Sequence, residues 1–160
     1  MQIKKDLKNW LKDFERLVII GLGNELRGDD ALGVYVIKKL IGDREYKEYN
    51  NILIINAKTV PDFFLNIIRE FKPSHILFID CVISNKAPGT IYLIDKDDIQ
   101  EFIFSTHTLP LEVIVKYIGE KIEVKILGVE PKSLDFFKMS EEVKRSGDKI
   151  VKIIKEILYI

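Results

Sequence analysis

The chain has 160 residues, 47% of them hydrophobic and 31% charged, the balance of one ordinary globular domain with a sizeable core. Twenty-five basic and 25 acidic residues cancel, so no broad field would hold the chain to a phosphate backbone or an anionic lipid surface, and neither nucleic acid nor membrane is an expected partner. Cys81 is the single cysteine, which excludes an internal disulfide and an all-cysteine metal site; with no apolar run near the ~18 residues that span a bilayer and no signal-peptide core, a cytoplasmic monomer is expected.

Ile3, Leu7, Trp10, Leu11 and Phe14 recur at helical spacing among lysines and acids, so residues 1–15 should form an amphipathic helix packed on the body. LVII at 17–20 then reads as a buried strand entering the glycine loop GLGNELRGDD, and Leu32, Val36 and Leu40 carry the apolar face of the helix that follows. A second strand is expected at 52–55, a helix at 61–71 with proline in its first turn, and a third strand at 75–80. SNKAPGT makes a turn, TIYLI at 90–94 a strand, LPLEVIVKYIG at 109–119 a helix, and KIEVKILGVEP a last strand. Val143, Ile150, Ile154 and Ile157 line one face of a closing helix whose other face, with Lys144, Lys149, Lys152 and Lys155, is solvated. Alternating elements with doubly apolar strands predict a three-layer α/β/α sandwich, one domain over 1–160, around a mostly parallel sheet with one antiparallel strand near 91–93.

In such a sheet a ligand sits beyond the carboxyl ends of the strands. Three candidate metal ligands stand there: Asp29 or Asp30 after the first strand, Asp80 at the end of the third, and His107 in the loop FSTHTLP. Two carboxylates and an imidazole leave positions open on a divalent ion, as a site that must meet substrate or water requires, and imidazole suits zinc and nickel alike. Each residue alone has a plainer explanation, since either acid of the pair can cap a helix, aspartates often end strands, and lone histidines are commonly surface residues. Their coincidence carries the reading.

Gly21 and Gly23 also invite a dinucleotide site, but Leu26 stands where the third glycine belongs and Asn56 where an acid would hold a ribose hydroxyl. The glycines are expected instead to let the backbone turn sharply and approach a peptide or metal-bound group. Cys81 could be a nucleophile paired with His107, although core packing is its expected role.

Four segments in order, GLGNELRGDDALG, FID, STHTLPL and GVEP, resemble the hydrogenase maturation endopeptidases, most nearly the type that processes membrane-bound and formate-linked nickel-iron hydrogenases. The likeness runs from about Leu17 to the closing helix. It implies a cytoplasmic endopeptidase that removes a C-terminal extension from a nickel-iron hydrogenase large-subunit precursor once nickel has been inserted. It also implies that the family's metal-contacting and catalytic positions fall on Asp30, the second acid of the pair, on Asp80 and on His107. Nickel would arrive on the precursor, and other divalent ions could occupy the same position. One departure touches substrate choice: the family's usual Asp-Gly-Gly after the second strand is Asn56, Ala57 and Lys58 here. Lys58 is expected to be solvated, the alternative being a contact with an acidic group of the precursor. Two rivals stand beside this reading, a peptidyl-tRNA hydrolase, whose histidine shortly after the GLGN loop is missing, and a nickel- or precursor-binding chaperone that does not cut.

Overall fold

The computed structural model describes residues 1–104, 111–135 and 137–160. In chain order the elements are α1 (Gln2–Trp10), β1 (Leu17–Leu22), α2 (Leu32–Ile41), β2 (Tyr46–Tyr49), β3 (Ile52–Lys58), α3 (Leu65–Phe71), β4 (His75–Ile83), β5 (Ile91–Asp95), β6 (Ile103–Phe104), α4 (Leu111–Ile118), β7 (Glu123–Val129) and α5 (Glu141–Leu158). Short 3-10 turns occupy Gly28–Ala31, Pro61–Phe64 and Lys96–Glu101.

Strands β3, β1, β4 and β7 lie side by side and run parallel, each carrying buried residues on both faces that need cover from helices. Along β1 the alternation sorts the side chains. Val18 and Ile20 join Phe78, Phe64, Ile68 and Ile114 in the core beneath α3 and α4, whereas Leu17 and Ile19 join Leu7, Val36, Ile150 and Ile154 beneath α1, α2 and α5. The result is the expected three-layer sandwich.

Antiparallel strands close both edges, β5 against β7 and β2 against β3, while β6 pairs antiparallel with the end of β4 through Val82 opposite Phe104 and Ile83 opposite Ile103. The antiparallel strand expected near 91–93 is therefore present. The other edge strand, YKEY, has half-exposed and exposed residues in alternation, an edge-strand composition with too little apolar content to announce itself. Proline begins the 61–71 segment, as expected, but its first four residues form a 3-10 turn before α3 starts at Leu65.

The N-terminal helix buries Leu7 and Leu11, and Trp10 and Phe14 meet the His75 ring edge-on, with centroids 4.9 and 6.4 Å away. This contact covers the amino end of β4. At the other terminus, Ser140 caps α5 by accepting from the Val143 N–H, with Glu141 and Glu142 in the first turn, favourable to the helix dipole. Lys144, Lys149, Lys152 and Lys155 all face solvent. No helix among the described residues is long and apolar enough to cross a membrane.

Candidate active site

From β1 the chain crosses by α2 to β3 on one side and then returns by α3 to β4 on the other, so the sheet order reverses between β1 and β4. A crevice opens at such a reversal, at the carboxyl ends of the two strands. Asp30 follows β1 and Asp80 stands near the end of β4; both are fully buried.

Loop geometry explains how Asp30 is held. The Asn24 side chain accepts from the Leu26 N–H at 2.9 Å, which shapes the turn, and the Asn24 N–H donates to Asp30 Oδ2 at 3.1 Å. Gly23 adopts φ +145, and a Cβ there would lie 1.9 Å from the Asp30 carbonyl oxygen. The glycine-asparagine loop and the acid therefore form one packed unit.

Asp29 does something else. Its carboxylate accepts from the Lys132 N–H at 2.7 Å, the Ser133 N–H at 3.0 Å, the Ser140 N–H at 2.6 Å and the Ser140 hydroxyl at 2.9 Å. Its own N–H donates to the Ser133 carbonyl. All its acceptor capacity faces the segment before α5, so Asp29 is a structural latch. Neither acid caps a helix, since the 3-10 turn and α2 have no side-chain cap.

Asp80 accepts from the Cys81 N–H at 2.8 Å. Burial, and then the neighbouring Asp30 charge, push its carboxyl well above the usual carboxylate range. Two desolvated acids sensing one another at the sheet reversal are costly to a fold and suited to a cation. Strand parity puts Asp80 on the face of Ile76, Phe78 and Val82, the face that α4 covers.

The close approach of α2 to β1 and β4 depends on glycine. A Cβ at Gly33, in the first turn of α2, would meet the Leu22 carbonyl oxygen at 2.1 Å and that of Ile79 at 2.5 Å. Both are backbone atoms and cannot step aside. Gly33→Ala is expected to cost roughly 3 kcal/mol by overpacking, read as a lower urea midpoint, and a wild-type midpoint would mean that α2 has room to shift.

His107 lies outside the described residues. Among those described, no three histidine, cysteine, aspartate or glutamate side chains gather as a metal cluster; Asp30 and Asp80 are the two members of the expected set whose positions are known. Cys81 is buried in β4 opposite Val129, as core packing requires. Lys58, with a side chain 58% exposed, sits at φ +53 and lies 3.9 Å from Glu25, so it is solvated with a weak surface ion pair. A groove of 430 Å³ between the loops after β1 and β3 is lined by Gly23, Asn24, Glu25, Leu26, Lys58 and Thr59. Glu130, whose role sequence reasoning did not assign, is a buried acid one residue past β7; the GVEP segment was its only signal.

A mostly parallel sheet between helix layers, with buried acids where its order reverses, defines a small three-layer α/β protein with an acidic centre at the carboxyl ends of its strands. The chain belongs to the hydrogenase maturation protease family, whose sequence model matches residues 34–157. It is similar to the hydrogenase 3 maturation protease of Escherichia coli, 32% identical over 130 residues that cover 79% of this chain and 81% of that one. A Methanocaldococcus jannaschii protein provisionally named a hydrogenase maturation protease is 50% identical over 162 residues, covering 98% of this chain and 96% of its own. The crystal structure of the NiFe hydrogenase maturation protease HycI from Thermococcus kodakarensis superimposes with a TM-score of 0.82 at 30% identity, covering 97% of this chain and 99% of that one. The protein is thus a peptide-bond hydrolase, which displaces the tRNA-hydrolase and non-cleaving chaperone readings.

Proposed function

We propose that this protein removes the C-terminal extension of a nickel-iron hydrogenase large-subunit precursor, in the cytoplasm, after nickel has been inserted, and that Asp30, Asp80 and His107 read the bound nickel. The observation that carries the proposal is the pair of buried acids at the sheet reversal, Asp80 raised in pKa by burial and by Asp30. Reach supports the third member: Phe104 pairs with Val82, two residues beyond Asp80, and three residues of chain from Phe104 to His107 span at most ~11 Å. The 160 residues then act as one domain, with the helix expected over 1–15, formed over Gln2–Trp10, as an accessory element.

In this reading the nickel is part of the substrate. Cysteines of the precursor hold it, and the two carboxylates and the imidazole fill positions left open, oxygen and nitrogen donors that nickel accepts. Anchoring the metal fixes the scissile peptide beside the crevice, which converts a flexible tail into a positioned reactant. The metal supplies recognition and Lewis acidity when bound. A precursor without nickel lacks that anchor and is left intact.

The test is to incubate nickel-loaded and nickel-free precursor with the purified protein and weigh all species by mass spectrometry. Loss of a C-terminal peptide from the loaded form alone is the expected result. His107→Ala should leave the far-UV CD spectrum unchanged and abolish that loss; full processing by this variant would remove His107 from the mechanism.

A further inference from the structure

The carboxyl end of β4 overruns its neighbours. Pairing with β1 stops at Ile79 and pairing with β7 at Cys81, so Val82 and Ile83 rely on the two-residue strand β6. Beyond them the chain turns through residues 84–90, and it is gathered there by one side chain. The Glu130 carboxylate, in a residue only 4% exposed, accepts from the Ser84 N–H at 2.9 Å, the Lys86 N–H at 3.3 Å and the Tyr92 hydroxyl at 2.7 Å. Its own main chain receives the Gly89 N–H at 2.8 Å and donates to the Thr90 carbonyl at 2.9 Å. Burial and the bond to Glu130 push the Tyr92 hydroxyl up to about 12, so it remains a donor through neutral pH.

A carboxylate oxygen is a strong acceptor for backbone N–H groups, and here Oε1 receives all three donors while Oε2 takes only a longer, 3.3 Å contact from the Ser84 N–H. An apolar residue here would leave the Ser84 and Lys86 N–H groups unmet. Glu130 therefore fastens the β4 overhang to the β7 and β5 edge of the sheet. The overhang matters because it begins two residues after Asp80 and, through β6, fixes the start of the segment that contains His107.

We infer that Glu130 is a positioning residue for peptide cleavage, clamping the end of β4 so that Asp80 and the chain leading to His107 keep one spacing. The inference rests on the site assignment proposed above. It requires no contact between Glu130 and the substrate.

The test compares Glu130→Ala, Glu130→Gln and Tyr92→Phe with Leu7→Ala, a destabilising control in α1 at the opposite end of the sheet. Thermal midpoint, amide hydrogen exchange over 82–86, and kcat and KM for precursor cleavage are measured at a temperature where every variant is folded. Glu130→Ala should speed exchange over 82–86 by at least tenfold and lower kcat by at least tenfold, with KM within twofold of the parent. Glu130→Gln, which keeps an acceptor oxygen for these donors but makes it a weaker, neutral one, and Tyr92→Phe should fall between, and they carry the test if the alanine variant does not fold. Leu7→Ala should lose thermal stability but keep the parent's kcat. Wild-type kcat in the Glu130 variants, or a loss no greater than that of Leu7→Ala at equal thermal midpoint, would overturn the inference. Asp80→Asn in the same assay separates the layers: full cleavage by that variant sinks the site assignment, while exchange over 82–86 still reports whether Glu130 is a clamp.

Discussion

Replacing Asp80 with asparagine should abolish precursor cleavage, by at least about 10²–10³-fold as for loss of one preorganised electrostatic group, while the free protein becomes at least as stable at neutral pH. Asparagine keeps the shape and still accepts from the Cys81 N–H, but it carries no charge to desolvate or to repel Asp30. The sign of the pH dependence follows. An ordinary aspartate titrates near ~3.9 in the unfolded chain, and burial with the Asp30 neighbour raises the folded value well above that. The protein then binds more protons folded than unfolded. Asp80's stabilising share is complete below the unfolded pKa and disappears as pH rises through the folded one. Urea unfolding of parent and variant across acid to neutral pH should show the gap widening in the variant's favour. A flat difference would mean that the pair is not repulsive, and retained cleavage would take Asp80 out of the reaction.

Next door, Asp29→Ala should do the reverse and strike stability first. The substitution strands the N–H groups of Lys132, Ser133 and Ser140, together with the Ser140 hydroxyl, in a partly buried seam. At about 1–3 kcal/mol for each buried donor left unmet, with some rescued by water, the cost should reach roughly 3–5 kcal/mol. For a chain of this size that corresponds to a thermal midpoint about 10 °C lower. Differential scanning calorimetry settles it, and an unchanged midpoint would show that solvent replaces the latch. Asp30→Ala should instead lose cleavage with a small change in melting. Those two outcomes together would assign one acid of the pair to the fold and the other to the chemistry.

Residue type and spacing leave the two acids equal, and only the family resemblance picks out Asp30. The latch role of Asp29 was not legible, because its partners lie at 132, 133 and 140, more than a hundred positions away. Likewise the donors that converge on Glu130 come from 84, 86 and 92, and none is marked by pattern. What was legible rests on burial: β1 and β4 are apolar on both faces through most of their length, β3 and β7 through part of theirs, and the spacing of Leu7, Val36 or Ile150 follows directly from facing a core. The YKEY edge strand and two-residue β6 escaped because an edge needs little apolar surface and a strand of two has no period to read. Asp30, in the loop after β1, and Asp80, near the end of β4, were visible as acids; their mutual repulsion was not.

The helix at the amino ends of the strands has a practical use. Along one extended strand, the five steps from His75, against which α1 packs, to Asp80 correspond to roughly 17 Å. Because the only native thiol is buried, a cysteine introduced at exposed Lys8 or Asn9 offers a single handle for a dye or a sensor surface. Arrival and departure of a partner at the far rim could then be followed in real time with the label kept clear of the chemistry.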